Sequence, residues 1–152
     1  VLVLDNINLG GYVNPYLYVL FILLLPFEIS GWALLFFSFL MGLSVDFFSG
    51  TMGMNAAAST LMAYARPFVI KRVGMNKDFD PGTQPSLFVQ GFQWFFMYSL
   101  IMILIHHVVL FFIEVFRFSD FLSTLQRALF STLFTLVLVI ILQYLFGKPP
   151  KK

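Results

Sequence analysis

The chain has 152 residues, of which 60% are hydrophobic and 11% are charged, and its net charge is only +2. Soluble domains are about 45–50% apolar and about 25% charged, so one soluble core of this size could not hide so much apolar surface. The small net charge gives no basis for nucleic-acid binding, and the lack of cysteine excludes disulfides and thiolate metal sites. We therefore expect a single membrane domain, residues 1–152, whose solvent is the lipid bilayer.

Five hydrophobic segments, the first of them short, are interpreted as helical spans, which need about 20 mostly apolar residues each. They cover residues 13–27, 32–48, 54–70, 91–116 and 121–146. Their long apolar runs lack the alternating polarity of barrel strands, which favours helices. The opening VLVL looks like the end of a further span whose beginning is missing. We predict an all-α bundle of six transmembrane helices, with five complete spans visible and the first one truncated.

The basic residues that flank the spans predict the orientation, because lysine and arginine collect on the cytoplasmic side. Three of them lie in the only long polar stretch, residues 71–90, and three lysines follow residue 146. Two spans separate these clusters, so both should lie in the cytoplasm. Arg117 and Arg127 weaken the asymmetry on the other side. We predict a solvated cytoplasmic loop at 71–90 and two cytoplasmic chain ends.

A polar interruption divides the second predicted span from the third. Gly42, Asp46 and Gly50 lie four residues apart, so they share one helix face, and Gly53 and Asn55 follow across the break. Small residues let helix backbones approach closely in lipid. We expect Asp46 to accept hydrogen bonds from Asn55 or from the N–H groups that begin the third span, where the helix dipole favours an anion. This structural cap is the first interpretation, and a proton or cation site or a contact with a partner chain are alternatives.

Two other polar pairs lie in apolar segments. Arg66 and Pro67 are near the predicted cytoplasmic end of the third span, where arginine can extend to the membrane interface and proline can kink the helix. His106 and His107 lie inside the fourth span and point about 100° apart, so we expect polar contacts between helices, with a functional protonatable site as the alternative. No acidic or histidine cluster accompanies them, and we predict no metal site.

Aromatic residues with a polar tip stand near several span ends. Tyr18, Trp32 and Trp94 are examples, and residues of this kind are enriched where the membrane meets water. We therefore expect them to anchor the spans at the interface.

The segment LMGLSVDFFSGTMGMNAAASTLMAYARP, residues 40–67, resembles the rod shape-determining protein MreD family. That family is marked by Gly-Leu-x-x-Asp, a break of small residues, and a glycine followed by an alanine-rich helix start. The positions that fall on this pattern are Gly42, Leu43, Asp46, Gly53, Ala56 and Ala57. The earlier stretch LDNINLGGYVNPYLYVLFILLLP is similar to the Bacteroidota branch of the family.

The resemblance implies a non-catalytic scaffold in the bacterial inner membrane. MreD proteins belong to the elongasome, which synthesises lateral peptidoglycan and maintains cell shape, and their partners are MreC, MreB, RodA and a class B penicillin-binding protein. The resemblance also implies a fold like the substrate-binding subunit of energy-coupling-factor transporters, and no cofactor. A small-molecule-binding subunit of such a transporter, with Asp46 and Asn55 lining an outward pocket, is the alternative function. An enzyme is not expected, since no nucleophile and base occur together in a recognisable motif.

Overall fold

The computed structural model describes residues 16–74, 79, 82–115 and 121–148. These residues form helices α1 (Val19–Leu23), α2 (Gly31–Ser49), α3 (Met54–Gly74), α4 (Leu87–Gln90), α5 (Phe92–Val115) and α6 (Phe121–Phe146). Within the described part of the chain, three helices are long and apolar enough to cross a membrane, namely α2, α5 and α6. The expected all-helical class is confirmed for the described residues, and three of their helices are candidate membrane spans.

Four predicted spans coincide with helices α2, α3, α5 and α6, and their ends differ by at most four residues. The length of each hydrophobic segment predicted these boundaries well, because polar or small residues lie between the segments. α2 ends where Gly50 adopts a φ of 68°, and Gly53 turns the chain again with a φ of 78°. Glycine enters this left-handed region without the strain that a Cβ atom would cause.

The first predicted span, residues 13–27, is not one continuous helix. α1 contains five residues, which is about 7.5 Å at 1.5 Å per residue and too short to cross a bilayer. Pro26 explains part of the early end, because proline disfavours helical geometry at the residue before it. Residues 13–15 and the suspected truncated span at VLVL lie outside the described residues.

The residues around α1 are packed inside the bundle rather than on its outside. Val19, Ile22 and Leu23 have no exposed side-chain surface. The Tyr18 hydroxyl contacts His106, and the Leu23 carbonyl contacts Tyr98, so this segment runs antiparallel to α5. An irregular backbone is compatible with membrane depth only when protein surrounds it in this way.

α3 lies at the centre of the bundle, between α2 and α5, and α6 packs on the other side of α5. α3 has 21 residues but is not among the three candidate spans, because polar residues interrupt its apolar sequence. Its side chains Asn55, Ser59 and Arg66 are all buried against other helices. The third predicted span is thus a helix that is polar where it meets its neighbours.

The C-terminal ends of α3 and α6 lie together at one end of the bundle. α3 meets the first turns of α5 through Arg66 and Tyr98, and α4 joins α6 through the Leu87 N–H group and Gln143. We call this the basic end, since its described residues include Lys71, Arg72 and Lys148. The opposite end, which contains the turn at residues 50–53, is called the turn end. The described members of the two basic clusters, Lys71 and Arg72 of the first and Lys148 of the second, therefore lie at one end, as their spacing predicts.

The described part of the loop at 71–90 packs against the bundle, which corrects the prediction of a solvated loop. α3 itself continues to Gly74. The Phe79 ring stacks on the Phe27 ring with 4.1 Å between their centroids, and the Phe27 N–H group donates to the Thr83 carbonyl at 3.3 Å. Phe79, an apolar residue within this mostly polar stretch, thus helps to hold the loop against the bundle.

Candidate functional site

The candidate site begins at Asp46, which is only 3% exposed. Its Oδ1 atom accepts hydrogen bonds from the Asn55 backbone N–H at 3.0 Å, from the Asn55 side-chain amide at 3.0 Å and from the Thr51 hydroxyl. Its Oδ2 atom accepts from the Ala56 N–H at 2.8 Å. Since these N–H groups belong to the first turn of α3, a carboxylate on α2 caps the next helix. The hydrogen bonds expected from the sequence are confirmed.

Gly42 allows α2 and α3 to touch at this junction. A Cβ atom at position 42 would lie 2.5 Å from the Asn55 carbonyl oxygen and 2.6 Å from the Ala56 Cα atom. Gly50 and Gly53 differ from it, because a Cβ atom at either would meet nothing within 4 Å. The first glycine is thus required by packing and the other two by backbone conformation. We call the contact between Gly42, Asp46, Asn55 and Ala56 the α2–α3 junction.

A chain of hydrogen bonds continues from this junction into the bundle. The Tyr18 hydroxyl donates to Asn55 Oδ1 at 3.0 Å and lies 2.6 Å from His106 Nε2. The side-chain amide of Asn55 already donates to Asp46, which fixes its carbonyl oxygen toward Tyr18. The direction of the hydrogen bond between the Tyr18 hydroxyl and His106 Nε2 depends on the tautomer of the histidine ring. The chain therefore connects the Asp46 carboxylate to His106 through Asn55 and Tyr18.

His107 faces a different neighbour from His106. Its Nδ1 atom lies 3.1 Å from the Thr132 hydroxyl on α6, and its ring stacks on Phe111 with 5.7 Å between centroids. Both histidines are fully buried. The pair therefore binds α5 to α1 on one side and to α6 on the other, which agrees with the expected polar contacts between helices. A protonatable function for the pair stays a prediction.

Arg66 is 1% exposed, so the interfacial anchor expected from the sequence is wrong. Its Nε atom donates to the Tyr98 hydroxyl at 2.9 Å, and its two Nη atoms donate to the carbonyls of Leu25 and Pro26. Tyr98 in turn donates to the Leu23 carbonyl at 3.1 Å. The carbonyls at the end of a helix have no partners within it, and the guanidinium group supplies several donors in a planar fork. We call this arrangement the Arg66 clasp.

The structure also bears on the predictions made for Pro67, for the interfacial aromatic residues and for metal ligands. Pro67 lies on the exposed side of α3, and the helix continues beyond it to Gly74. Tyr18 and Trp94, expected as interfacial anchors, are 3% and 7% exposed, whereas Trp32 is 75% exposed. No group of three His, Asp or Glu side chains that could hold a metal occurs within the described ranges.

The sequence analysis missed the partners of the polar residues. Tyr18, Tyr98 and Thr132 complete the contacts of Asn55, Arg66 and His107. The sequence had indicated Tyr18 only as an interfacial anchor, and it had not indicated Tyr98 or Thr132 at all. One available signal was the polar residues on α6 at near-helical spacing. Those that are buried are Thr124, Ser131, Thr132, Thr135 and Gln143. Such a stripe on an otherwise apolar helix marks the side that faces protein.

Comparison with known proteins provides no relative, since no family model, no curated protein and no solved structure matches the chain. The resemblance to MreD depends on the pattern in residues 40–67. The fold adds one observation to that pattern. Gly42, Asp46 and Ala56, which carry the resemblance, meet in space at the α2–α3 junction.

Proposed function

We propose that the chain is a non-catalytic inner-membrane scaffold of the MreD type, which binds MreC within the elongasome and helps to maintain cell shape. The observation that supports the proposal best is the α2–α3 junction. Its residues fit together through backbone contact at Gly42 and four hydrogen bonds to Asp46. A helix pair held in this way has a fixed outer surface, which is what a scaffold needs in order to bind a partner helix.

The outer side of α2 carries large side chains at helical spacing, which supports a partner-binding role. We call the exposed residues Trp32, Phe36, Phe39, Leu43 and Phe47 the aromatic stripe. They follow one another at intervals of four, three, four and four residues, so they lie on one side of the helix. Aromatic residues are enriched in protein interfaces, and van der Waals packing is a principal force between helices in lipid. We propose that a transmembrane helix of MreC packs on this stripe.

Co-purification tests this assignment. A tagged full chain, extracted from its native membranes, should retain MreC, and replacement of Phe36 and Phe47 by alanine should reduce the retained MreC at least severalfold. Replacement of Phe130 and Leu133 by alanine is the control, because both are large exposed side chains on a different helix, α6. Equal retention by the two double variants would contradict the proposed surface. Absence of MreC from the unmodified preparation would contradict the proposed function.

The alternative function, a small-molecule-binding subunit of a transporter, has less support. It requires Asp46 and Asn55 to line an outward pocket. Both are 3% exposed, and their polar atoms bind each other, Thr51, Tyr18 and the start of α3. A substrate that raises the melting temperature of the purified chain, with no effect of aromatic-stripe variants on MreC retention, would favour this alternative.

The proposal includes a six-span bundle with both ends in the cytoplasm. α3 has 21 residues, which corresponds to about 31 Å and is comparable to the hydrocarbon thickness of a bilayer. The shared basic end of α3 and α6 supports a cytoplasmic position for both. Topology reporters inserted near residue 80 and fused after residue 152 should read cytoplasmic, and one near residue 119 should read external. Opposite readings for the first two would contradict this topology.

A further inference from the structure

A cleft of about 450 Å³ opens at the basic end of the bundle. It lies between residues 82–86, α4 and the last turn of α6, and Leu24 forms part of its inner wall. This volume is within the range of about 300–1,000 Å³ that is usual for small-molecule sites. The cleft is separate from the α2–α3 junction, and no residue of the polar chain from Asp46 to His106 lines it.

Packing contacts hold the walls of the cleft in place. The Leu87 N–H group donates to Gln143 Oε1 at 3.2 Å, which joins α4 to α6. At Gly147 a side chain would collide with the Phe88 ring and with the Gln143 carbonyl, so the end of α6 lies directly against α4. The opposite wall is joined to the loop after Pro26 by the Gly82 N–H group, which donates to the Glu28 carboxylate at 3.2 Å.

The lining of the cleft is amphipathic. Leu24, Val89 and Phe146 contribute apolar surface, Gln84 and Ser86 contribute polar groups, and Lys148 is an exposed cation at the edge. The apolar sequence of α6 ends at Phe146, and the lysine follows two residues later. A lysine directly after an apolar span is typical of the boundary between hydrocarbon and headgroups. A ligand that fits this lining has an apolar part and a polar, negatively charged part.

The charges on the described residues around the cleft favour an anion. The guanidinium group of Arg66 lies behind the wall, where it binds the carbonyls of Leu25 and Pro26 next to Leu24. Among the described residues the ion pair is Arg127 with Glu114, and no described carboxylate pairs with Arg66. A buried charge is screened less than an exposed one. Among the described residues, Glu28 is the acidic group that contacts the wall, and it is exposed to solvent.

We propose that this cleft binds an anionic phospholipid from the leaflet at the basic end. The phosphate of the headgroup binds beside Lys148, and the first part of an acyl chain lies along Leu24, Val89 and Phe146. This site does not depend on the proposed scaffold function, because it involves neither the aromatic stripe nor the α2–α3 junction. Its occupant joins the end of α6 to the loop that precedes α4.

Thermal unfolding of the purified full chain in neutral detergent tests the proposal, with three probes added in turn. Phosphatidylglycerol should raise the melting temperature, phosphatidylcholine should raise it much less, and free glycerol phosphate should leave it unchanged. Lys148→Gln should weaken the apparent affinity for phosphatidylglycerol about fivefold, as expected for roughly one basic residue near anionic lipid. Lys71→Gln is the matched control, because Lys71 is exposed at the same end and outside the cleft.

A second pair of variants tests the position of the lipid. Val89→Trp fills the cleft and should remove most of the response to phosphatidylglycerol, whereas Met97→Trp, at an exposed position outside the cleft, should retain it. The melting temperature without lipid shows whether each variant is folded. Equal responses to the two lipids, or a full response to free glycerol phosphate, would overturn the proposed ligand. A response unchanged by both Lys148→Gln and Val89→Trp would overturn the proposed site.

Discussion

The α2–α3 junction and the Arg66 clasp both use a buried charged side chain to bind backbone groups that lack other partners, and the two charges are opposite. In the junction, an anion binds N–H groups at the start of α3, and in the clasp a cation binds carbonyls near the end of α1. Each charge suits the groups that it meets, because N–H groups attract an anion and carbonyl oxygens attract a cation, and at the start of α3 the helix dipole adds to this attraction. Asp46 binds residues nine and ten positions away, whereas Arg66 binds residues 40 and 41 positions away. The first contact is local and the second depends on the whole bundle.

The two contacts should therefore differ in how much the free energy of unfolding falls when each is removed, and substitutions can measure this difference. Loss of a local cap disturbs one turn, whose helices remain connected by a short loop. Loss of a long-range contact leaves buried polar groups with no alternative partner, and such groups cost about 1–3 kcal/mol each. We therefore expect the clasp to be more sensitive to substitution than the junction.

Arg66→Leu should have the largest effect. It leaves the Leu25 and Pro26 carbonyls and the Tyr98 hydroxyl without their donor, so the free energy of unfolding should fall by about 3 kcal/mol or more. Arg66→Lys should be intermediate, since lysine keeps the charge but not the planar fork. Folded yield and unfolding in detergent measure both effects. Arg72→Leu is the control on the exposed last turn of α3. An equal loss of unfolding free energy there would show that the contacts of the clasp add no stability beyond that of an exposed arginine.

Gly42→Leu should rank next, because its Cβ atom alone would come within 2.5 Å of the Asn55 carbonyl oxygen. Forcing bulk into a packed contact costs about 1–3 kcal/mol and here must separate α2 from α3. Gly31→Leu is the matched control on the same helix, where a Cβ atom meets nothing within 4 Å. Similar melting temperatures for the two variants would refute the close approach of the helices.

Asp46 variants separate the cap from the charge. Asp46→Leu removes acceptors for Thr51, Asn55 and Ala56 and should cost about 2 kcal/mol, the upper range for a helix cap. Asp46→Asn keeps one acceptor oxygen but directs an amide toward a donor, so we expect a loss of about 1 kcal/mol. Rescue of rod shape in a deletion strain should follow folded yield in both variants. Normal yield of Asp46→Asn without rescue would instead indicate a function for the charge.

Tyr18→Phe should have the smallest effect of the four. It removes one hydroxyl from between Asn55 and His106, and because both groups left unpaired are neutral we expect a loss of about 1 kcal/mol, the lower end of the range for unpaired buried groups. Tyr64→Phe is the control, because Tyr64 is 62% exposed. The difference between their melting temperatures measures how far the junction is stabilised from inside the bundle. No difference would mean that the polar chain ends at Asn55.

The sequence predicted the long helices and the cap for the same reason, which is that both depend on neighbouring residues. Hydrophobic length determined α2, α5 and α6, and the spacing of Gly42, Asp46 and Asn55 determined the junction. The sequence did not reveal that α1 is a short buried helix, because an apolar segment of this kind suits both lipid and a protein core. It also failed for Arg66, whose position near the basic loop suggested the membrane interface.

The partners of buried polar groups were beyond prediction because they lie far apart in the chain. Tyr18 and His106 are 88 residues apart, and His107 and Thr132 are 25 residues apart. A hydroxyl on an apolar helix has the same local sequence signature whether it faces another helix or the membrane surface. Only the packing of α1, α3, α5 and α6 determines which of these it contacts.

The clasp has a consequence for biogenesis. The chain is synthesised from its N-terminus, so Leu25 leaves the ribosome 41 residues before Arg66, and Leu23 leaves it 75 residues before Tyr98. At a synthesis rate of about 5–20 residues per second, the carbonyls at and just after the end of α1 remain without their donors for several seconds. Because an unpaired carbonyl is costly in lipid, we expect the segment to stay hydrated, or within the insertion machinery, until α3 and α5 have been made. A segment that is made early is therefore among the last to reach its place in the membrane.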